Sequence, residues 1–447
     1  MEYVEIDKIV GERLGSFGIE LMAAAREGHL CLKKDKVIEG CVELKGSEER
    51  FEAEVGRWED LYYLQRNWVL EGRVVREFLR ILGSDVKRID MRASEGLNQR
   101  QREGVQAGLS ESILCLTGGP GTGKTYTIGE IVRRFPGRVK VCAPTGKAVA
   151  LLREKLDVEV GTVHEILGIK GGKDLFFGEG EIDADMVIVD ECSMIDVGLW
   201  GALLRRVRTG TRLILVGDHD QLPPVEAGTV FGELCCWMKE RGKGYVHLDI
   251  CMRSDRKEIL EMADAVRRGE MIPYQKLEKK IGEWKSAFRE GGFRLLSCLR
   301  RGPFGVEAIN KEMWEGKEIP IMITRTDKRL GLRNGEMGTL LKHSLARPFG
   351  KEDEGVFGDK RIFAALLPEF EPAYCLSVHK SQGSEFNRVA LLVPKGAEAF
   401  GREILYTGIT RAKEEVEIYA EEGVIEEIVK RSGKKQSGIQ RRLCGNY

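Results

Sequence analysis

A glycine-rich segment between an apolar run and a helical pattern has the residue types needed to bind the phosphates of a nucleotide. The segment GGPGTGKT (118–125) follows ILCLT (113–117) and precedes YTIGEIVRRF. Glycines let backbone N–H groups turn towards phosphate oxygens, and the N-terminus of the following helix adds partial positive charge. This pattern predicts that Lys124 reaches the β- and γ-phosphates and that Thr125 binds Mg²⁺. The predicted nucleotide-binding residues of this segment are Gly118, Gly119, Pro120, Gly121, Thr122, Gly123, Lys124, Thr125 and Tyr126.

Two acidic residues and a glutamine follow the ends of other apolar runs. Asp190 closes MVIVD (186–190) and precedes Glu191, whereas Gln221 lies shortly after LILVG (213–217). An aspartate at the carboxyl end of a buried parallel strand faces the ligand crevice, so Asp190 is the predicted second Mg²⁺ ligand. Glu191 is the candidate base for the attacking water, and Gln221 is placed to sense the γ-phosphate or to hold that water. By themselves, the acidic pair is also typical of a solvated turn, and Gln221 of a helix cap.

The elements that must position these residues are indicated by short apolar runs. Continuous Val/Ile/Leu runs are typical of strands buried on both faces of a parallel sheet, and helical patterns between them imply right-handed crossovers. The predicted strands are 113–117, 139–143, 186–190 and 213–217 in a first domain and 321–325, 389–393 and 416–420 in a second. The fold class is therefore predicted to be α/β, with two parallel-sheet domains.

The chain divides into three predicted parts. Residues 1–95 carry more acidic than basic side chains, and the segment 61–82 has the three-to-four spacing of an amphipathic helix. This pattern predicts a small helical N-terminal domain that docks a protein partner or packs against the rest. The first α/β domain is predicted to span 96–250 and the second 251–447, with a small inserted β module at about 336–371.

The charge balance excludes a basic coat over the whole surface. Lys+Arg and Asp+Glu both number 71, which leaves room for a local basic channel only. The tail 428–447 is basic without acidic residues, and we interpret it as solvated and mobile, with phosphate contact as the alternative. No apolar run approaches the ~18–20 residues of a membrane span, and the N-terminus shows no secretory pattern. We expect a cytoplasmic protein without membrane contact.

The phosphate-binding segment is one of a series whose order matches a known family. The other segments are AAAREGHLCL (23–32), Leu97-Asn98 with Gln101, APTGKAV (143–149), Thr162-Val163-His164, DECSMID (190–196), LVGDHDQLPPVEAG (215–228), GPFGVEAIN (302–310), NGEMG (334–338), VHKSQGSEF (378–386) and LYTGITRAK (405–413). Together they resemble the RecD family of superfamily 1 helicases, which are subunits of the RecBCD (exonuclease V) complex. The resemblance covers nearly the whole chain.

The resemblance implies a fold and an activity. It implies two RecA-like P-loop NTPase domains with parallel sheets and a small strand-separating element at about 168–184. The implied activity is ATP- and Mg²⁺-dependent 5′→3′ movement on single-stranded DNA from duplex ends, in repair by homologous recombination. The implied partners are RecB-like and RecC-like subunits in a heterotrimer. No nuclease site is expected in this chain, so cutting would belong to the RecB-like partner.

The resemblance also implies roles for individual residues. Gln101 would read the adenine and Glu385 would contact the ribose. Arg411 falls on the arginine-finger position, and Arg253 on the family's other phosphate-sensing arginine. The predicted catalytic set is Lys124, Glu191, Gln221, Arg253 and Arg411. The positions implied to contact DNA are Pro144, Thr145, Thr162, His164, His379 and Ser381. Read alone, His164 and His379 are equally typical of buried, hydrogen-bonded histidines.

Two other functions remain open at the level of sequence. One is a stand-alone superfamily 1 helicase in replication or conjugative transfer. The other is an assembly or regulatory subunit whose ATPase is dispensable. The intact Lys124, Glu191 and Arg411 favour an active motor over the second of these.

Overall fold

The computed structural model shows an N-terminal region, two α/β domains and a C-terminal segment that returns to the N-terminal region. It describes residues 16–35, 38, 41–45, 55–89, 96–169, 180–250, 257–327, 329–342 and 352–445. Within this part of the chain, no helix is both long and apolar enough to cross a bilayer.

In its described residues, the N-terminal region combines two helices with a small sheet. The helices are α1 (Ser16–Arg26) and α2 (Gln65–Leu82), and the strands are β1 (Leu32–Lys33), β2 (Val42–Glu43), β3 (Val55–Trp58) and β4 (Leu61–Leu64). The strand order is β1-β4-β3-β2, with β3 and β4 antiparallel. The predicted small helical domain therefore also contains a sheet, which was not predicted.

The predicted helix 61–82 begins four residues later than expected. Leu61–Leu64 forms β4, where Tyr62 and Tyr63 are both fully buried. Pairing with Val55–Trp58 and the burial of two aromatic residues outweigh the helical periodicity at this end. The rest of the helix packs against the first α/β domain, where Arg80 Nη2 donates to the carbonyls of Leu204 (3.0 Å) and Val207 (2.6 Å).

The first α/β domain is built on a six-stranded parallel sheet. Its strands are β5 (Ile113–Gly118), β6 (Val139–Ala143), β7 (Glu159–Thr162), β8 (Met186–Val189), β9 (Arg212–Gly217) and β10 (Tyr245–Leu248). The order is β10-β5-β9-β8-β6-β7. Its helices are α3 (Gln99–Ser110), α4 (Lys124–Arg134), α5 (Gly146–Lys155), α6 (Val163–Ile166), α7 (Val197–Arg206) and α8 (Val230–Arg241). All four predicted strands are confirmed, whereas β7 and β10 were not predicted.

The second α/β domain contains a five-stranded parallel sheet. Its strands are β11 (Gln275–Lys276), β12 (Phe293–Ser297), β18 (Cys375–Ser377), β19 (Phe386–Val393) and β20 (Ala412–Ala420), in the order β11-β20-β19-β12-β18. Its helices are α9 (Lys257–Arg268), α10 (Ile281–Glu290), α11 (Val306–Met313), α12 (Arg402–Ile409) and α13 (Val424–Lys430). The predicted α/β class with two parallel-sheet domains is confirmed.

The inserted β module is larger than predicted. Its strands are β13 (Glu318–Ile323), β14 (Met337–Leu341), β15 (Glu354–Phe357), β16 (Lys360–Phe363) and β17 (Phe370–Pro372), paired antiparallel in the order β16-β15-β14-β13-β17. The run 321–325 was assigned to the parallel sheet, but it belongs to β13 of this module. A continuous apolar run indicates burial and does not specify the direction of its partners, which explains the error. The module thus extends from 318 to 372 rather than from 336 to 371.

The predicted strand-separating element at 168–184 lies mostly outside the described residues, which resume at Gly180. Its C-terminal end packs on the first domain. Ile182 is buried, and its backbone N–H donates to the carbonyl of Arg206 at 2.8 Å.

The C-terminal segment is ordered against the N-terminal region, which contradicts our interpretation of it as a mobile tail. Beyond α13, the chain runs back across the first domain and ends in α14 (Ile439–Cys444). The carbonyl of Gln436 accepts the N–H of Leu30 at 2.9 Å, and the N–H of Gly438 donates to Glu71 Oε2 at 3.0 Å. Two of its basic side chains form ion pairs with the N-terminal region: Arg441 pairs with Asp60, and Arg442 pairs with Glu71. The contact between the two chain ends is therefore partly electrostatic.

Arg442 forms the buried centre of this contact. It is 1% exposed, its Nη1 lies 3.6 Å from Glu71 Oε1, and its guanidinium stacks 3.9 Å from the centroid of the Trp68 ring. Burial raises the pKa of Glu71, and the charge of Arg442 opposes that rise. The pair is thus a buried ion pair whose members depend on each other.

Replacing Arg442 with methionine is expected to lower the free energy of unfolding by about 3 kcal/mol at neutral pH. The reason is that the Glu71 carboxylate would stay buried without its cation. The loss should shrink as the pH falls, because Glu71 then takes up a proton. Urea unfolding followed by tryptophan fluorescence measures both effects. The matched control is Arg441→Met, whose exposed pair should contribute less than about 1 kcal/mol; equal losses for the two variants would contradict a buried ion pair.

Candidate functional site

The loop between β5 and α4 has the backbone geometry of a phosphate cradle. Gly121 and Gly123 have positive φ angles of 78° and 86°, a conformation that favours glycine. A Cβ atom on Gly123 would also lie only 2.4 Å from the Nε2 atom of Gln101. Lys124 Nζ donates to the carbonyls of Gly118 (2.7 Å) and Gly119 (3.0 Å). The loop therefore curls around the ammonium group that the sequence assigns to the phosphates.

A cavity of about 780 Å³ opens on this loop and is lined from both α/β domains. The predicted residues that line it are Gln101, Pro120, Gly121, Gly123, Lys124, Thr125, Tyr126, Asp190, Glu191, Gln221, Glu385 and Arg411. Gly118, Gly119 and Thr122 shape the loop from behind, where Thr122 Oγ1 donates to the carbonyl of Gly119 at 2.8 Å. Arg253 lies outside the described residues. The structure thus brings together nearly all of the predicted nucleotide-site residues.

Gln101 is positioned by the start of α3. Its backbone N–H and side chain form a reciprocal cap with Asn98, which fixes the first turn of the helix. The buried side chain then donates from Nε2 to the carbonyl of Thr122 at 3.3 Å. Gln101 therefore contacts the phosphate loop itself. It also lines the cavity, where the resemblance implies that it reads the adenine of the nucleotide.

The two carboxylates lie at the carboxyl end of β8 with an unusual backbone. Asp190 is buried, and its Oδ1 accepts the N–H of Glu191 at 2.9 Å. Glu191 has a φ angle of 53°, a left-handed conformation that is rare outside glycine and that occurs most often at functional sites. Burial, followed by the charge of Glu191, raises the pKa of Asp190 to about 7, and Lys124 opposes this rise. A cation beside Asp190 would favour its charged form.

Gln221 lines the same cavity, and its side-chain oxygen accepts no hydrogen bond from the described residues. Its Nε2 faces Asp218 Oδ2 at 3.4 Å, which sets the orientation of the amide because a carboxylate only accepts. The Oε1 atom is buried and has no hydrogen-bond partner among the described residues. A buried acceptor without a partner is costly, and a water molecule is the donor that would satisfy it. The geometry fits the prediction that Gln221 holds water.

The loop that carries Gln221 is held by α12 of the second domain. The hydroxyl of Tyr406 donates to Asp218 Oδ2 at 2.8 Å, and the N–H of Leu222 donates to Thr407 Oγ1 at 2.9 Å. Neither Tyr406 nor Thr407 was predicted as a functional residue, although both lie in the segment LYTGITRAK. The only available signal was that resemblance, because the contact joins residues 188 positions apart.

Arg411 lies just beyond α12 and forms no ion pair with the part of the chain that the structure describes. The guanidinium donates to the carbonyls of Thr407 (3.0 Å) and Ser384 (3.3 Å) and to Thr410 Oγ1 (3.2 Å). These acceptors are neutral, and the residue is 4% exposed. A buried cation that lines the nucleotide cavity from the other domain is suited to stabilise negative charge on a phosphate.

A second cavity of about 890 Å³ lies between the two domains and collects most of the predicted DNA contacts. The lining residues from that prediction are Pro144, Thr145, Thr162, His164 and His379. We call this cavity the interdomain cleft. Lys147, Arg333, Asn334 and Lys380, which were not predicted, also line it.

Burial distinguishes the two histidines and Ser381 from one another. His164 is exposed, so the alternative of a buried histidine is wrong for it. His379 is half-buried and packs edge-to-face on Phe400 at 5.2 Å, and burial lowers its pKa. Ser381 is fully buried, with its hydroxyl donating to the carbonyl of Val378 at 2.7 Å. This placement contradicts a direct DNA contact through its side chain, because the hydroxyl closes its own turn.

Comparison with known proteins agrees with this arrangement. The sequence profile of the AAA domain matches residues 96–282, and that of the UvrD-like helicase C-terminal domain matches residues 372–419. The RecBCD enzyme subunit RecD of Mycolicibacterium smegmatis is 29% identical over 86% of this chain and 82% of its own length. The same subunit of Haemophilus influenzae is 26% identical over 77% of this chain and 72% of its own.

Two further proteins are similar over a shorter span or in fold alone. The ATP-dependent RecD2 DNA helicase of Deinococcus radiodurans is 29% identical over 74% of this chain and 50% of its own. A solved structure of Pif1 helicases at forked double-stranded DNA has a TM-score of 0.50 at 16% identity, covering 72% of this chain and 92% of the other. The predicted pair of RecA-like domains is confirmed by this likeness. The motifs, the two profiles and the RecD matches thus agree that the chain is similar to the RecD subunit of RecBCD enzymes over most of its length.

Proposed function

We propose that the chain is an ATP-dependent DNA helicase that moves 5′→3′ on single-stranded DNA as the RecD-like subunit of a RecBCD-type helicase–nuclease. The observation that carries this proposal is the composition of the 780 Å³ cavity. Lys124 and Glu191 line it from the first domain and Arg411 from the second. A nucleotide bound there would contact both domains, so hydrolysis and domain movement would be coupled.

The residues divide the chemistry among them. Lys124 and Arg411 stabilise the negative charge that develops on the γ-phosphoryl group. Gln221 holds the attacking water through Oε1, and Glu191 accepts its proton. The oxygen ligands Thr125 and Asp190 fit Mg²⁺, which when bound would neutralise charge on the β- and γ-phosphates.

The interdomain cleft is the proposed binding site for single-stranded DNA. Thr145, Thr162 and His164 line it from the first domain, and Asn334 and His379 line it from the second. If ATP closes the two domains and hydrolysis reopens them, these two groups of contacts alternate in holding the strand. Separating one base pair costs about 1.4 kcal/mol of stacking, which one cycle can offset.

The partners and setting follow from the relatives' names. The matching proteins are named as subunits of RecBCD. We extend this to RecB-like and RecC-like partners, duplex DNA ends as the substrate, recombinational repair as the process and the cytoplasm as the location. We assign DNA cleavage to the RecB-like partner. The N-terminal region is the proposed docking surface for these partners.

Unwinding polarity tests the proposal directly. In single-turnover assays with the reconstituted complex, a duplex with a 5′ overhang should be unwound by this subunit, and Lys124→Ala should abolish its contribution. Unwinding that depends on this subunit only from 3′ overhangs would reject the polarity. Equal speed and processivity of the Lys124→Ala complex would instead support a subunit with a dispensable ATPase. Isolation of the native protein as a lone ~50 kDa species would support a stand-alone helicase.

A further inference from the structure

Lys147 occupies a special place between the two cavities. It is the second residue of α5, after the turn formed by Pro144, Thr145 and Gly146. Among the lining residues in the described part of the chain, Lys147 alone belongs to both the 780 Å³ nucleotide cavity and the interdomain cleft. Its side chain therefore separates the proposed ATP site from the proposed DNA site.

The contacts of Lys147 lead directly to the arginine finger. Lys147 Nζ donates to the hydroxyl of Ser384 in the second domain, and Ser384 is 4% exposed. The carbonyl of the same Ser384 accepts Arg411 Nη1 at 3.3 Å. Ser384 thus contacts both Lys147 of the first domain and Arg411, which lines the nucleotide cavity from the second domain.

The other end of this connection lies in the cleft. Thr145 caps α5 by accepting the N–H of Ala148 at 3.3 Å, and Arg333 of the β module donates to the carbonyl of Gly146 at 3.3 Å. A strand phosphate bound at this turn would restrain the backbone that carries Lys147. A continuous set of contacts therefore runs from the cleft through Lys147 and Ser384 to Arg411.

The electrostatics of Lys147 make its position sensitive to phosphate. Burial and the positive charges of Arg294 and Arg411 lower its pKa to about 8. Neither Lys147 nor Arg411 forms an ion pair with a carboxylate in the described residues. The repulsion among these cations is unfavourable, and a bound phosphate anion would reduce it. A phosphate bound in the nucleotide cavity would therefore change the affinity of the interdomain cleft for a phosphate, and the reverse.

We propose that Lys147 and Ser384 are the positioning residues through which single-stranded DNA in the interdomain cleft orients Arg411 and so accelerates ATP hydrolysis. The inference rests on the proposed helicase function and specifies how its two sites communicate. Neither residue takes part in the chemical step. Their effect is to hold the guanidinium of Arg411 where charge develops on the γ-phosphoryl group.

The test measures the ratio of ATP turnover at saturating single-stranded DNA to turnover without DNA. Lys147→Met should reduce this ratio by roughly tenfold, a typical size for coupling between two sites. Ser384→Ala removes only the hydroxyl, leaves the carbonyl that holds Arg411, and should reduce the ratio in the same direction. Because both act through one contact, the double variant should be no worse than Lys147→Met.

Lys380→Met is the matched control, since Lys380 lines the cleft but not the nucleotide cavity. It should raise the DNA concentration needed for half-maximal stimulation and keep the stimulation at saturation. Fluorescence anisotropy must show that Lys147→Met still binds the strand, and Ser384→Ala serves if Lys147→Met fails to fold. If DNA stimulated ATP turnover of Lys147→Met as strongly as that of the wild type, this inference would be overturned while the proposed helicase function would stand. Additive losses in the double variant would have the same meaning. A wild-type chain whose turnover does not respond to DNA would reject the helicase function as well.

Discussion

The Arg411→Ala variant is expected to hydrolyse ATP about 10³-fold or more slowly than the wild type at saturating ATP and DNA. Arg411 lines the nucleotide cavity from the second domain, and its hydrogen-bond acceptors among the described residues are all neutral. The cation is needed most when negative charge develops on the γ-phosphoryl group, so its loss should reduce kcat far more than it weakens ATP binding. Steady-state turnover and binding of a fluorescent nucleotide separate the two effects.

Arg402, at the opposite end of α12, provides the matched control. It does not line the nucleotide cavity, so Arg402→Ala should not reproduce the loss. Arg411→Lys keeps the positive charge but loses the fork of donors, and it should remain strongly impaired. A change in KM for ATP with kcat preserved would show that Arg411 binds the ground state and is not an arginine finger.

The Glu191→Gln variant is expected to bind ATP and to turn it over about 10²- to 10⁴-fold more slowly. The substitution preserves shape at a residue whose φ of 53° is already strained, so the backbone cost is similar in both proteins. The charge of Glu191 raises the pKa of Asp190, and its removal should therefore make Asp190 easier to ionise. The variant should still bind Mg²⁺ and ATP, but it would lack the carboxylate that accepts the proton of the attacking water.

Trapping experiments measure this outcome. Rapid mixing of Glu191→Gln with ATP and single-stranded DNA should give a long-lived complex with uncleaved ATP. Glu159→Gln is a suitable control, because Glu159 is an exposed residue of the same sheet that pairs with Lys140. If Glu191→Gln turned over ATP within roughly threefold of the wild-type rate, Glu191 would not take part in the chemical step. Gln221 would then be the residue that activates the water.

The sequence by itself predicted most of the nucleotide site. The loop 118–125 combines a strand, positive-φ glycines and a helix N-terminus within one short stretch, so its shape is determined locally. The runs that became β5, β6, β8 and β9 were recognisable because strands buried on both faces must be apolar throughout. Resemblance added Gln101, Glu385 and Arg411, all of which line the cavity.

Resemblance located segments better than it oriented side chains. The segment that contains Ser381 lies beside the interdomain cleft, yet its hydroxyl points inward to Val378. Whether a side chain faces a cleft depends on the local backbone conformation, and here that conformation places the Ser381 hydroxyl within its own turn. The same limit applies to the run 321–325, most of which lies in β13. Its composition could not reveal that the partner strands β14 and β17 run antiparallel to it.

Tertiary structure alone decided which distant residues meet. The basic tail pairs with the acidic N-terminal region, as Arg442 does with Glu71, across 371 positions of sequence. Tyr406 holds Asp218, and Lys147 reaches Ser384, through contacts between domains. Such pairs have no local signature, because each side chain alone is compatible with a solvated surface. The phosphate-binding loop and its flanking strands could thus be predicted from short stretches of sequence. The Arg442–Glu71, Tyr406–Asp218 and Lys147–Ser384 contacts could not, because they form only when distant parts of the chain pack together.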